Sequence, residues 1–301
     1  MDERDILIVG AGTAGLTAAI YVQRAGRHAV IYEKSAPGGQ IVTANEIQNY
    51  PGFVSVNGAD FAYRLYEQAA GLGAEFISEE VLEIFPEKNS VTVRTAGGSR
   101  TGRALIYAAG ASHRKLGLPE EEKLIGKGIS FCANCDGAFF RNKRVAVNGG
   151  GNTALDDAIY LSRMASEVYL IHRRKEYRAE EALQKQIAEV PNIHPVLDTV
   201  ITELKETDGH LSGLHLQNKE SGEETELSAD GLFLAIGMKP ETNLLRGIVD
   251  LDEAGYIRAG EDTCTNVLNI FAAGDVRAKK IRQLTTAAAD GTAAAIQAAA
   301  L

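Results

Sequence analysis

Cys132 and Cys135 form a C-x-x-C pair and are the residues of this chain best suited to redox chemistry. Such a pair can supply half of a zinc site, or it can be a dithiol that is reversibly oxidised to a disulfide. A structural zinc site needs four ligands, and the sequence has neither a second C-x-x-C nor a close pair of histidines. The pattern therefore favours a catalytic redox pair without a metal. Asp136, directly after Cys135, is either a proton donor and acceptor for a thiolate or a simple turn cap.

Two glycine-rich segments have the G-x-G-x-x-G/A spacing of dinucleotide-binding turns. In such a turn the first glycine permits the sharp bend, the second lets the backbone approach a pyrophosphate, and the last position must be small. Each segment follows an apolar run and precedes a helical pattern, so that the helix N-terminus favours the phosphate charge. The positions expected to bind cofactors in these turns are Gly10, Gly12, Ala14, Gly15, Gly149, Gly151, Asn152, Thr153 and Ala154.

The residue 23 positions after the first glycine differs between the two turns. In the first unit it is Glu33, whose carboxylate suits an unmodified ribose diol and repels a 2′-phosphate. In the second it is His172, followed by Arg173 and Arg174, with Arg178 close behind. Guanidinium groups bind phosphate through charge-assisted pairs, so the second turn is predicted to bind NADP(H). The alternative interpretation of these arginines is an ordinary surface turn.

Two different dinucleotides beside a dithiol favour FAD and NADPH as the cofactors. NADPH delivers a hydride, whereas a disulfide accepts electrons by another route, and a flavin can do both. Pro37–Gln40 and Gly274–Asp275 are expected to complete the flavin site, with Asp275 placed for a hydroxyl of the cofactor.

Repeated strand–helix–strand patterns predict an α/β fold with two Rossmann-like domains, the second inserted into the first. Residues 1–113 and 243–301 are assigned to an FAD-binding domain, and residues 114–242 to an NADPH-binding domain that carries the C-x-x-C. Further strands are predicted at 90–95, 104–107, 232–236 and 268–275, with a closely packed alanine-rich helix over 285–300.

Composition limits the other classes of function. The net charge of −9 argues against nucleic acid or an anionic membrane as the main partner. No apolar run approaches the ~18 residues of a membrane span. The segment 1–5 opens on acids and leads directly into a strand, so no secretory signal is expected and the protein is predicted to be cytoplasmic. Three cysteines are too few for a disulfide scaffold, and Cys264 is interpreted as structural.

Taken together, the motifs resemble those of the low-molecular-weight, bacterial-type NADPH-dependent thioredoxin reductases. The resemblance runs from end to end and is carried by the segments Gly10–Gly15, Pro37–Gln40, Asn49–Gly52, Cys132–Gly137, Gly149–Ala154, His172–Arg174 with Arg178, Phe271–Val276 and Arg282–Gln283. It implies a homodimer with bound FAD, thioredoxin as the disulfide substrate, Cys135 nearer the flavin, and a rotation of one domain against the other. With this resemblance the remaining cofactor-binding positions are Lys34, Gly39, Gln40, Asn49, Gly274, Asp275, Arg282 and Gln283.

Two alternatives to reduction of thioredoxin remain open from the residues. The same electron relay could serve a peroxidase partner, a glutaredoxin-like protein or a small disulfide. From another class, the C-x-x-C could bind metal or sense redox state in a protein that is not an enzyme. Ala138 stands where some family members have an aromatic residue, so the surface that docks the partner is expected to differ.

Overall fold

The computed structural model describes residues 5–44 and 46–301. Residues 1–4, on which the prediction about a secretory signal partly rests, lie outside the described residues. The chain forms two compact units, one made of the residues up to Ser112 together with Lys239–Leu301, the other of His113–Met238. No helix within the described ranges is long and apolar enough to cross a membrane.

The elements alternate between strands and helices for much of the chain. The strands are β1 (Asp5–Val9), β2 (His28–Tyr32), β3 (Glu75–Ile77), β4 (Glu83–Pro86), β5 (Val91–Thr95), β6 (Gly98–Gly102), β7 (Ala104–Tyr107), β8 (Ala111–His113), β9 (Ile129–Ser130), β10 (Arg144–Asn148), β11 (Glu167–Ile171), β12 (Ile193–Val196), β13 (Thr199–Thr207), β14 (His210–Asn218), β15 (Glu224–Ser228), β16 (Gly231–Leu234), β17 (Met238–Pro240) and β18 (Ile270–Ala272). The α-helices are α1 (Thr13–Arg24), α2 (Gly58–Gly71), α3 (Glu121–Leu124), α4 (Ala133–Asp136), α5 (Asn152–Ser162), α6 (Glu181–Ala188) and α7 (Leu284–Ala299). Short 3₁₀ segments occur at Gly39–Thr43, Gly137–Phe140, Asn243–Leu245 and Gly274–Val276.

The first unit is built on a parallel sheet with the strand order β18-β7-β1-β2-β3. All five residues of β1 are buried, which is the pattern of a strand covered on both faces. Helices α1 and α7 pack on one face, and their approach is close because a β-carbon at Gly291 would clash with the carbonyl oxygen of Ala14. The alanine-rich composition of α7 is therefore explained by packing of helix on helix.

The second unit repeats this plan with the parallel order β12-β11-β10-β16-β9. Helix α5 packs on this sheet through buried residues such as Leu155 and Ala158. An antiparallel sheet of β13, β14 and β15 covers the opposite face through Leu204 and Leu214. The predicted fold of two Rossmann-like α/β units is confirmed.

Some element ends differ from those predicted. Helix α5 begins at Asn152 and not at Ala154, because the glycine turn leads straight into the helix. The strand predicted over 268–275 is only Ile270–Ala272, since Gly274 takes a positive φ of 79° and starts a 3₁₀ turn. The first unit resumes at Lys239, whereas the sequence-based division placed this boundary after 242. Glu241 explains the difference, because its backbone bonds to Gly110 and to the Tyr107 hydroxyl.

Candidate active site and cofactor sites

The two cysteines form a disulfide at the start of helix α4, with their Cα atoms 5.3 Å apart. Cys132 is half-buried and Cys135 is exposed. The backbone N–H of Cys135 donates to Sγ of Cys132 at 3.2 Å, so the first sulfur accepts a hydrogen bond from the turn that it caps. Among the described residues, no group of three or more His, Cys, Asp or Glu side chains is arranged to hold a metal ion. A bonded pair of cysteines is the arrangement that a redox dithiol requires.

Asp136 directly follows Cys135, and its side chain is held by a serine that the sequence did not single out. Its Oδ2 accepts a hydrogen bond from the Ser130 hydroxyl at 2.6 Å. Burial raises the pKa of the Asp136 carboxyl, and the bond from Ser130 acts in the opposite direction. The carboxyl is thus able to carry a proton closer to neutral pH than a solvated aspartate would.

Gly137 fixes the end of α4 on helix α5. A β-carbon at this position would lie 3.0 Å from a side-chain carbon of Leu161 and 3.1 Å from the ring of Tyr160. Contacts below about 3.4 Å require the neighbours to move, so a larger residue at this position would displace the side chains of Leu161 and Tyr160. The redox pair is therefore carried on a segment packed against the helix that follows the second glycine turn.

The first glycine turn leaves room for a ligand where the motif requires it. Gly10 has a φ of 99°, and a β-carbon there would clash with the carbonyl oxygen of Ala108. A β-carbon at Gly15 would clash with the carbonyl oxygen of Gly10, which explains the small residue at the last position. At Gly12 the space is open, with only the carbonyl oxygen of Gly38 at 4.0 Å. The backbone before α1 is accordingly accessible to a pyrophosphate.

Glu33 lies beside this turn, as the spacing predicted. Its Oε2 accepts the backbone N–H of Ala11 at 2.8 Å, and its Oε1 accepts that of Ser35 at 2.9 Å. Each carboxylate oxygen has a second lone pair, so acceptor capacity remains for a ribose hydroxyl. The neighbouring Lys34 points elsewhere and pairs with Glu80 at 3.4 Å.

Among the described residues of the first unit, four buried side-chain polar atoms have no hydrogen-bond partner. One belongs to Gln23 and one to Glu83, and the other two belong to residues predicted to bind the flavin. They are Oδ1 of Asp275 and Nε of Arg282. Burial raises the pKa of Asp275, and Lys279 lies 3.7 Å from its Oδ1. Because buried donors and acceptors are normally satisfied, these two atoms indicate a polar ligand at this place. The residues present therefore fit a dinucleotide with hydroxyl and phosphate groups.

Other predicted positions of this site are brought together by the fold. Gly274 lies against the first turn, since a β-carbon there would be 2.9 Å from that of Ala14. The Asn49 amide donates to the Gln283 side chain at 3.4 Å. Gln40 donates to the carbonyl oxygen of Ala111. Gly39, with a φ of 64°, would place a β-carbon 3.2 Å from Cα of Gly12.

Sequence reasoning missed a buried ionic cluster next to Asp275. Asp290 on α7 accepts hydrogen bonds from Arg277 Nη2 at 2.8 Å, from Lys279 Nζ at 2.9 Å and from the backbone N–H of Gly274 at 3.0 Å. The signal was present, because Asp290 is a charged residue within an otherwise uncharged, alanine-rich helix. This cluster orients the segment that carries Asp275.

The second glycine turn is tied to the residues that follow β11. A β-carbon at Gly149 would lie 2.5 Å from the carbonyl oxygen of Ala235, and one at Gly150 would overlap the His172 ring. The backbone N–H of Arg178 donates to the carbonyl oxygen of Gly150 at 2.7 Å. The turn and the basic segment thus form one structural unit.

Asn152 and Thr153, at the start of α5, are exposed beside this turn. The Asn152 amide donates to Glu180 Oε1 and its Oδ1 accepts the Glu180 backbone N–H, both at 2.9 Å. Glu180 was not recognised from the sequence as a support of the turn.

The three predicted arginines form an exposed cationic cluster at the carboxyl end of β11. Arg173, Arg174 and Arg178 are exposed, and no carboxylate within the described part of the chain pairs with them. Their charges contribute to lowering the pKa of His172, although burial is the larger cause. His172 itself is 5% exposed, and its Nε2 lies 3.1 Å from the carbonyl oxygen of Glu176. The buried ring therefore packs against the second glycine turn. Unpaired guanidinium groups at this place suit a phosphate.

The comparisons with known proteins identify the family of this chain. The family model described as pyridine nucleotide-disulphide oxidoreductase matches residues 4–291. The thioredoxin reductase of Bacillus subtilis (strain 168) is 38% identical over 291 residues, which cover 97% of this chain and 92% of that protein. The thioredoxin reductase of Treponema pallidum (strain Nichols) is 41% identical over 296 residues, covering 98% and 96%.

A solved structure shows the same likeness. The crystal structure of thioredoxin reductase from Streptococcus pyogenes MGAS5005 superposes with a TM-score of 0.93 at 36% identity, covering 98% of this chain and 97% of that one. The family predicted from the motifs is thereby confirmed. The chain belongs to the pyridine nucleotide-disulphide oxidoreductase family and, within it, to the thioredoxin reductases.

Proposed function

We propose that this protein is an NADPH-dependent thioredoxin reductase that passes electrons from NADPH through FAD to the Cys132–Cys135 pair. The observation that carries the proposal is the disulfide beside Asp136, in the same unit as the second glycine turn. Relatives named thioredoxin reductase match it along nearly the whole chain. The enzyme is a thioredoxin-disulfide reductase, and thioredoxin is its substrate.

Each unit is assigned one cofactor. The first unit would hold FAD through the turn at Gly10, the carboxylate of Glu33 and the unsatisfied atoms of Asp275 and Arg282. When bound, the flavin accepts a hydride and passes two electrons to a disulfide. The second unit would hold NADPH, with its pyrophosphate at the N-terminus of α5 and its 2′-phosphate among the exposed arginines.

The chain's own residues carry out the exchange with the protein substrate. In the reduced pair one sulfur, as a thiolate, attacks a sulfur of the substrate disulfide, forming a mixed disulfide and expelling a substrate thiolate. Asp136 gives that thiolate a proton. The second cysteine of the pair then gives its proton to the Asp136 carboxylate and attacks the enzyme sulfur of the mixed disulfide. This restores the Cys132–Cys135 bond and releases the second substrate sulfur as a thiolate. The hydrogen bond from the Cys135 N–H favours negative charge on Cys132 and so supports Cys132 as the attacking thiolate.

The assembly and compartment are part of the proposal. We expect a homodimer, on the resemblance of the motifs to those of family members, and a cytoplasmic location, on the composition of the sequence. The net charge of −9 supports a partner other than nucleic acid.

An anaerobic titration tests the proposed function directly. NADPH is expected to bleach the visible spectrum of the bound flavin, NADH to do so only weakly, and oxidised thioredoxin to restore it. If NADPH left the flavin spectrum unchanged, the assigned electron donor would be refuted. If the protein retained no flavin after it had been incubated with FAD and purified again, the relay would be refuted. Turnover with a glutaredoxin-like protein or a small disulfide, but none with thioredoxin, would refute the assigned acceptor.

A further inference from the structure

Ser130 ends strand β9 two residues before the redox pair, and it is only 5% exposed. Its Oγ donates to Asp136 Oδ2 at 2.6 Å and accepts the backbone N–H of Cys132 at 3.1 Å. The carbonyl oxygen of Cys132 lies 3.4 Å from the same hydroxyl. A hydroxyl has one proton to donate, so it can serve only one of these two acceptors at a time.

The protonation state of Asp136 decides which acceptor the hydroxyl uses. Towards an ionised carboxylate the bond is charge-assisted and stronger, in keeping with the 2.6 Å contact. When Asp136 holds a proton, the carboxylic acid can donate to Oγ of Ser130, which has a second lone pair. The serine proton then turns to the carbonyl oxygen of Cys132. Both states of the acid are satisfied without movement of the backbone.

We propose that Ser130 is a positioning residue for Asp136 in the disulfide-exchange step, an inference that rests on the proposed function. Its hydroxyl joins the carboxyl to the backbone N–H of Cys132 and provides a partner for the carboxyl before and after proton transfer. In this step the proton of the Asp136 carboxylic acid passes to the departing thiolate, giving a thiol and a carboxylate. The Ser130 hydroxyl donates to that carboxylate as it forms.

The surroundings of Asp136 allow this role to be isolated. Helix α4 packs against α5 and the 3₁₀ segment Gly137–Phe140, and the latter carries no titratable side chain. The titratable and charged groups on the other neighbours are Asp156, Asp157 and Tyr160 of α5, Arg163 at the end of that helix, and His113, which stacks on Phe131 at 4.3 Å. Burial lowers the pKa of His113 to about 4, so it is neutral near pH 7. Asp157 titrates near neutral pH and needs its own control, because burial raises its pKa to about 7.

The test follows re-oxidation of the pre-reduced holoenzyme by bis(2-hydroxyethyl) disulfide as a function of pH. This disulfide has an alkanethiolate leaving group, which needs a proton. The limb of the profile that disappears in Asp136→Asn identifies the titration of Asp136. Ser130→Ala is expected to move the midpoint of this limb upward by about one pH unit, because a hydrogen bond to the charged form is lost. Ser130→Thr, which keeps a hydroxyl, is expected to leave the midpoint in place.

Three results would overturn the role of Ser130. These are an unchanged midpoint in Ser130→Ala, a rate lowered equally at every pH, or a limb that Asp157→Asn removes and Asp136→Asn does not. If Ser130→Ala does not fold, Ser130→Gly removes the same hydroxyl and is compared with Ser130→Thr in its place. Failure of the proposed function would be separate, because wild-type flavin would then not be bleached by NADPH.

Discussion

The imidazole of His172 occupies the space that a side chain at Gly150 would need. A β-carbon at Gly150 would overlap the His172 ring, whereas one at the adjacent Gly151 would meet no atom within 4 Å. The His172 ring, directly after β11, thus leaves no space for a side chain at Gly150, the middle glycine of the second turn. The contact links the pyrophosphate turn to the arginine cluster.

A matched pair of glycine variants tests this contact. Gly150→Ala is expected to lower the free energy of unfolding by about 1–3 kcal/mol, because the added methyl group displaces the His172 ring. Urea unfolding measures this loss. The variant should also raise the KM for NADPH, because the turn moves. Gly151→Ala, with open space around it, is the control for stability. Equal stability of the two variants would contradict the packing argument.

The arginine cluster predicts which nucleotide the enzyme prefers. Arg173→Ala combined with Arg174→Ala should raise the KM for NADPH by about tenfold or more, because charge-assisted bonds to the 2′-phosphate are lost. The KM for NADH, which lacks that phosphate, should change little. Steady-state kinetics with both nucleotides measure this, and Arg141→Ala in an exposed loop serves as the control. An equal loss for both nucleotides would contradict the assignment of the 2′-phosphate.

A substitution in the redox pair is expected to separate reduction of the flavin from reduction of thioredoxin. Cys135→Ser should abolish reduction of thioredoxin while NADPH still bleaches the flavin, because only the disulfide is missing from the relay. Stopped-flow absorbance and a thioredoxin turnover assay give the two readings. Cys264→Ser, outside the pair, should retain both activities. Thioredoxin turnover that survives in Cys135→Ser would exclude the dithiol from the reaction.

The buried cluster around Asp290 predicts a large loss of stability. Asp290→Asn removes the charge that compensates Arg277 and Lys279, whose side chains are 11% and 8% exposed. Leaving buried cations without their partner should lower the free energy of unfolding by about 3 kcal/mol. Urea unfolding measures the loss, with the exposed Glu253→Gln as control. If the two variants unfolded at the same urea concentration, the cluster would not contribute as described.

Asp157 predicts a pH dependence of stability. Burial first, and then the charge of Asp156, raise its pKa in the folded protein to about 7 from the ordinary 3.8. The folded state therefore binds more protons than the unfolded chain between these two values, and stability falls as pH rises across this window. Asp157→Asn lacks this titration and should gain stability relative to wild type between pH 5 and pH 8. Urea unfolding at both pH values checks it, and the exposed Asp250→Asn should show no such gain.

The chemistry-bearing motifs could be predicted from the sequence because each acts over a short stretch of chain. A sharp strand-to-helix turn needs small residues within six positions, and the C-x-x-C places two sulfurs within bonding distance on one turn of backbone. The residue that follows the second strand of each βαβ unit could be located from its distance to the first glycine, because the connection between the two parallel strands has a restricted geometry. Its charge then indicated the type of dinucleotide. These local rules predicted the two Rossmann-like units and the redox pair, and the resemblance of the motifs to those of known proteins predicted the family.

Only the tertiary structure decided which side chains support those motifs. Asp290 reaches Gly274 across 16 residues, and the partnership of Ser130 with Asp136 depends on how α4 folds back on the end of β9. The unsatisfied atoms of Asp275 and Arg282 became visible only once burial was known. Burial and hydrogen-bond partnership depend on which elements pack together, and a pattern of residue types along one segment does not contain that information.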